Sequence, residues 1–221
     1  MQPEQVAIAA ADVQQDVETE PLADQQGQRQ VAHAGHGARP VRRVHRVDTG
    51  ALQHRRGLET VPGVEAGLGV DLDADDERLR TGEREARPAR VDPANHLIIH
   101  VDDITCPQDG YTHACQEHVG QLIEFVQAWD RAAPMVVHCY AGISRSTAGA
   151  FTAACALNPR RDEKAIAQAL RRASPTAIPN QLIVSLADRA LGRNGRMIRA
   201  IETMGPGIMA IEANPFRLDL E

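Results

Sequence analysis

The sequence predicts an α/β protein with a mostly parallel central sheet flanked by helices. Two apolar, β-branched runs, residues 97–101 and 135–139, read as buried strands. A helical pattern follows each of them, over 111–131 after the first and 147–157 after the second. Strands alternating with helices at this spacing form βαβ units, whose strands lie parallel. At 221 residues the chain suffices for one domain or two small ones.

In chain order, residues 1–94 stand apart as an atypical segment. They contain no Phe, Tyr, Trp, Lys or Cys, and Ile8 is their only Ile. Gln, Arg, Ala and Gly dominate, as in Gln25-Gln26-Gly27-Gln28-Arg29-Gln30 and Ala38-Arg39-Pro40-Val41-Arg42-Arg43. Such a segment buries little surface to offset its ordering entropy, so poor order is expected, as a regulatory tail or a loosely packed accessory region. Within it, residues 1–17 predict a weak Ala-rich helix and Leu68–Leu72 a short strand. His33, His36 and His45 lack partners at metal-ligand spacing and read as solvated side chains. The composition breaks sharply near Asp92-Pro93. Translation begun in another reading frame of a GC-rich gene would also produce such a break, and native peptides covering residues 28–90 would remove that reading.

From His96 the texture changes. Leu97-Ile98-Ile99-His100-Val101 runs into Asp102-Asp103-Ile104-Thr105, a loop at a strand's C-terminal end, where open α/β sheets gather their sites. Cys115, Val119, Leu122, Ile123, Val126 and Trp129 recur at three- and four-residue intervals and make one apolar helical face. Cys106, His113, Cys115 and His118 match no common zinc spacing, and Cys115 belongs to that face. Asn158-Pro159 ends the helix after the second strand. Residues 161–173 read as a further helix with Asp162 and Glu163 in its first turn. Helices over 182–191 and 197–204 follow, and 205–221 is expected to be an irregular tail.

The chemistry concentrates in Met135-Val136-Val137-His138-Cys139-Tyr140-Ala141-Gly142-Ile143-Ser144-Arg145-Ser146-Thr147. Here a strand turns through a Gly-containing loop into a helix N-terminus, where unpaired backbone N–H groups and the helix dipole favour an anion. The N–H groups of Tyr140, Ala141, Gly142, Ile143 and Ser144 are the expected phosphate-binding donors. They favour a thiolate at Cys139, a nucleophile suited to phosphorus. Arg145 can hold two phosphate oxygens in its planar fork. Ser146 can donate to the Cys139 sulfur as it leaves the intermediate. His138 is expected to be a buried residue that orients the loop from behind.

His138-Cys139-x5-Arg145-Ser146 resembles the signature of the cysteine-dependent protein tyrosine phosphatases, and HCYAGISRS looks most like the dual-specificity branch, with a bacterial member expected. The resemblance covers roughly residues 95–191. It implies a dual-specificity-phosphatase-like fold, with 95–204 as the catalytic domain and 205–221 as a tail. It implies a general acid on the loop after the first strand: Asp103 by register, then Asp102, with Asp109 a distant third. Ser174-Pro175-Thr176-Ala177-Ile178-Pro179-Asn180 resembles the family's Pro-Asn segment, with Ser174 where Arg is usual. This implies that Asn180 braces the phosphate loop, a role compatible with capping the next helix. The implied activity is hydrolysis of phosphotyrosine and/or phosphoserine/threonine through a phosphocysteine, with no metal and no other cofactor. Two other classes share features of the motif: a rhodanese-type sulfurtransferase, whose loop is typically shorter, and a phosphate-binding protein without turnover.

The remaining composition bounds partners and compartment. A net charge of -6 argues against a nucleic-acid partner. Cysteines at 106, 115, 139 and 155 form no tight pairs and fit a reducing compartment, although Cys106 and Cys139 are candidates for pairing under oxidation. No basic-then-apolar leader opens the sequence and no run is long enough to span a bilayer, so a cytoplasmic location without a membrane partner is expected. The expected partner is a phosphorylated protein or a small phosphomonoester.

Overall fold

The computed structural model describes residues 5–10, 68–72 and 91–220, all of which fall in one compact unit. Five strands form its sheet: β1 (Gln5–Ala10), β2 (Leu68–Leu72), β3 (His96–Ile99), β4 (Met135–Cys139) and β5 (Phe216–Asp219). Their order across the sheet is β3-β2-β4-β1-β5. The first four run parallel, and β5 closes one edge antiparallel to β1. Five helices flank the sheet: α1 (Gln116–Gln127), α2 (Arg145–Leu157), α3 (Glu163–Ala173), α4 (Gln181–Ala190) and α5 (Arg196–Met204). The α/β fold class read from the sequence is the one observed.

The pivot is β4 with the helix it feeds. β4 hydrogen-bonds to β1 on one side, with Val6 opposite Met135 and Ala10 opposite Cys139. On its other side lies β2, with Leu68 opposite Met135 and Asp71 opposite His138. Met135, Val136 and Val137 are fully buried, as a strand paired on both edges requires. α2 packs on β1, β2 and β4 and touches α1, α3 and α4, so it is the core helix. Its small residues permit this. A Cβ on Gly149 would lie 2.6 Å from Leu72 Cδ1 and 3.0 Å from Val137 Cγ1. Mid-helix glycine costs about 1 kcal/mol against alanine, a cost offset here by the close approach of helix to sheet. Phe151, fully buried, supplies bulk where alanine cannot.

α1 presents Val119, Leu122, Ile123 and Val126 inward, as its periodicity predicts. Trp129, just past its end, is buried and donates from Nε1 to the carbonyl of Ala133 at 3.0 Å. Asp162 caps α3 by accepting from the N–H of Ala165 at 3.3 Å. Asn158 closes α2, its Nδ2 donating to the carbonyl of Ala154 at 2.9 Å.

Two expectations are corrected. The weak helix expected over 1–17 is instead a strand at Gln5–Ala10. Alanine favours helix, but the open edge of β4 offers a full ladder of backbone partners, and tertiary pairing overrides a weak propensity. The tail expected to be irregular contributes β5, because the free edge of β1 pairs with it from Gln5 opposite Asp219 to Ile8 opposite Phe216. The sheet therefore reaches beyond 95–204 and takes in strands from both flanking segments. The short strand expected at Leu68–Leu72 is present. The remaining readings of 1–94, including the polar runs at 25–30 and 38–43 and His33, His36 and His45, lie outside the described residues.

Candidate active site

The strand-turn-helix around Cys139 forms as its local chemistry dictates. β4 ends at Cys139, Gly142 takes the left-handed conformation at φ 70°, and α2 begins at Arg145. Only a residue without a Cβ adopts that φ at no steric cost, and it lets the loop double back onto the helix N-terminus. Cys139 is 2% exposed at the base of the loop, whereas Tyr140 at its rim is 46% exposed. The Cys139 thiol lies 3.2 Å from Ser146 Oγ and donates to it, and Ser146 is itself fully buried. With the sulfur ionised, the hydroxyl hydrogen turns to donate to it instead. Thr147 Oγ1 donates to the carbonyls of Ile143 (2.5 Å) and Ser144 (2.9 Å), pinning the loop to the first helical turn.

Arg145 is buried, and its Nη1 donates to the carbonyl of Val101 at 2.9 Å. That bond orients the guanidinium and ties the Cys loop to the end of the β3 segment. Three further backbone bonds brace the loop from outside. Ile178 N–H donates to Ile143 O (2.9 Å), Asn180 N–H to Ser144 O (3.3 Å) and Ala213 N–H to Ala141 O (2.9 Å). Distant segments thus occupy three of the loop's carbonyls, those of Ala141, Ile143 and Ser144.

The two adjacent acids behave differently. Asp102 Oδ2 accepts from the N–H of Thr112 at 2.6 Å, and its own N–H donates to Thr112 O at 2.7 Å, so this residue closes its own loop. Asp103 reaches the Cys loop. Its Oδ1 accepts from Ser144 Oγ at 2.6 Å and from Asn180 Nδ2 at 2.8 Å. Asp109 is exposed in the turn before Gly110. Asn180 is 4% exposed and works on both sides. Its Oδ1 accepts from the N–H groups of Leu182 and Ile183 and caps α4, while its Nδ2 also donates to Ile104 O at 3.3 Å. The structure therefore brings together Cys139, Arg145, Ser146, Asp103, Asn180 and the 140–144 loop.

His138 departs from expectation in being half-buried. Strand side chains alternate, and Val137, which faces α2 near Gly149, shares its side with Cys139. His138 points to the opposite face, at the strand's end, where cover is thinner. Ser144 is expected among the phosphate-binding residues, and its side chain has a further partner. Its hydroxyl makes no helix-cap bond and engages Asp103 instead. The bracing by Ala213 had no sequence signal, because it depends on where a remote segment crosses. Cys115 and His118 do meet, with Sγ 3.4 Å from Nδ1 at the start of α1. Among the described residues, no three His, Cys, Asp or Glu side chains are placed to share a metal ion. Among them, too, no helix is long and apolar enough to cross a membrane.

Comparison with known families agrees with this geometry. Residues 83–182, 100 of the 221, match the family model described as protein-tyrosine phosphatase. The match takes in the acid loop, the Cys loop and Pro179-Asn180, and with them β3, β4 and α1 to α3. No curated protein gives a significant match to the chain. It is this segment, with its thiol, guanidinium and carboxyl at one loop, that carries a protein-tyrosine phosphatase domain.

Proposed function

We propose that the chain is a protein phosphatase of the dual-specificity type, acting on phosphotyrosine and/or phosphoserine/threonine through a phosphocysteine intermediate, in the cytoplasm. The observation that carries this reading is the link from Asp103 through Ser144 and Asn180 to the Cys139 loop. It ties a carboxyl group to Ser144, the last residue of the loop that starts from the Cys139 thiol.

The chemistry follows in two displacements. The Cys139 thiolate attacks phosphorus opposite the ester oxygen, the S–P bond forms and the P–O bond breaks. Asp103 supplies a proton to the departing oxygen. Its Oδ1 already receives two donors, so the proton is carried on Oδ2. Arg145 and the 140–144 N–H groups hold the three equatorial oxygens as charge builds on them. Water then attacks phosphorus, giving its proton to the Asp103 carboxylate, and the P–S bond breaks. Ser146 Oγ, 3.2 Å from the sulfur, donates to the thiolate as it leaves. The loop supplies its own positive field, so the reaction needs no metal.

The test is hydrolysis of p-nitrophenyl phosphate by the full chain with a chelator present, beside Cys139→Ser. Turnover in the parent, falling on the order of 10⁴-fold or more in the variant, is the expected result. Phosphopeptide binding without turnover by the folded parent would overturn the enzyme reading. Transfer of sulfur from thiosulfate to cyanide would replace it with the sulfurtransferase one.

A further inference from the structure

Five of the large apolar side chains left exposed in the described residues lie on the three segments that surround the Cys loop. They are Tyr140 in the loop itself, Ile178, and Ile208, Met209 and Ile211, the last two each 89% exposed. Their segments are bonded together. Ile208 N–H donates to Pro175 O at 2.9 Å, Ile178 N–H to Ile143 O, and Ala213 N–H to Ala141 O. Residues 208–213 therefore run from the Pro175 turn to the Cys loop. Gly207 permits the approach, since a Cβ there would lie 2.8 Å from the carbonyl oxygens of Thr176 and Ala177. A surface segment held by specific backbone bonds, yet showing three aliphatic side chains to water, is costly unless something covers it.

Resting on the phosphatase reading, we infer that this rim is the docking surface for the substrate chain and selects phosphorylated segments whose neighbouring side chains are apolar. Continuity with the phosphate loop argues for the substrate as occupant, because a residue held at Cys139 brings its neighbours over Tyr140 and 208–211. Charge argues the same way. The segments 140–144, 175–179 and 205–213 contain no Lys or Arg, and Asp103 and Glu212 lie on or beside them. Arg171 abuts two of these segments, but its Nη1 and Nη2 are engaged by the carbonyls of Ser174, Pro175 and Gly205. An anionic membrane surface or a polyphosphorylated headgroup therefore finds little to pair with there, whereas apolar peptide side chains find Tyr140, Ile178, Ile208, Met209 and Ile211. The C-terminal segment thus sets specificity in a chain whose phosphate chemistry lies in 103–180.

The experiment compares kcat/KM for p-nitrophenyl phosphate and for two phosphotyrosine peptides, identical except that Leu and Val flank the phosphorylated residue in one and Ser and Gln in the other. The full-length parent and Met209→Ser/Ile211→Ser are assayed, with circular dichroism to confirm the fold. The parent should prefer the apolar peptide about tenfold, and the variant should lose most of that preference relative to its own aryl-phosphate rate. Equal rates on the two peptides, with aryl phosphate turned over, would overturn the rim and leave the phosphatase reading standing. So would an unchanged preference in the variant. Without peptide preference, binding to phosphatidylserine vesicles or a concentration-dependent dimer, either one lost in the variant, would assign the surface to a membrane or to a second copy. If the folded parent hydrolyses nothing, the phosphatase reading fails on its own. Calorimetric affinities for the two peptides then decide the rim by the same comparison.

Discussion

Two carboxylates in this molecule are each gripped by two side chains, and the contrast between them separates a structural knot from the proposed site. Glu163 is 3% exposed and accepts from Arg193 Nη1 at 2.7 Å and from Arg196 Nε at 3.0 Å. Arg193, 5% exposed, reaches onward to the carbonyls of Cys155, Pro159 and Asn158. The start of α3, the end of α2 and the loop before α5 are thereby joined. Asp188 completes the arrangement by accepting from the N–H groups of Gly195 and Met197. Asp103 is exposed and has neutral donors, Ser144 and Asn180, both on one oxygen. Charged partners hold a buried carboxylate ionised and immobile. Neutral donors fix position and leave the other oxygen to exchange a proton with solvent or substrate. That difference in donor type is why the acid role is proposed for Asp103 and not for Glu163.

Removing the acid should give the larger effect, and on rate alone. Asp103→Asn keeps both donors' partner oxygen, so the fold should hold. kcat for an alkyl or peptide phosphomonoester should fall about 10²–10⁴-fold, less for a p-nitrophenyl leaving group that needs no proton. A comparable loss of thermal stability would mean that Asp103 belongs with Glu163 as a structural anchor. Arg193→Met should do the converse. It leaves Glu163 buried beside the half-exposed Arg196, and denaturant unfolding should show a loss of about 3–5 kcal/mol, with activity per folded molecule preserved.

A smaller effect concerns pH. Burial by itself would raise the Glu163 carboxyl, but bonds from its own backbone and from Arg196 and Arg193 outweigh it and bring it below its ordinary value. A carboxyl lowered on folding stabilises above its unfolded pKa, near 4.3 for glutamate, and the stabilisation fades as pH falls through the folded value. Unfolding free energy should therefore decline on acidification through that range, and Glu163→Gln should flatten the decline. A slope unchanged in the variant would assign acid lability to other groups. Smallest of all, Cys155 should be silent toward alkylation. Burial pushes its thiol up to about 12 despite the nearby Arg193 charge, so iodoacetamide mapping at neutral pH should find it unmodified until the chain unfolds.

The geometry of the Cys loop could be read from sequence because it is local. Cys139, Gly142, Arg145 and Ser146 lie within one strand-turn-helix, whose geometry follows from spacing and from the one residue at positive φ. Asn180 could be read for the same reason, as a cap whose oxygen meets N–H groups two and three residues on. α1 and α3 were visible as apolar periodicity, and α2 as an Ala-rich run after its loop. The polar knot was invisible, since Glu163 and Arg193 are separated by 30 residues and neither has a distinctive neighbour.

Sequence by itself located Cys139, Arg145, the Ser146 hydroxyl beside the sulfur, the helices, and the strands β2, β3 and β4. Each of these depends on residues within a turn or two of one another. Only the tertiary structure decided that Asp103 rather than Asp102 meets the loop, because the choice lies in which carboxyl finds Ser144 and Asn180 and which finds Thr112. It alone made a strand of the Ala-rich start and another of the ending, since a strand at a sheet's edge is selected by the open backbone groups of its neighbour, more than by its own side chains. It alone also laid residues 208–213 beside the Cys loop, by backbone bonds to carbonyls that no side-chain pattern encodes.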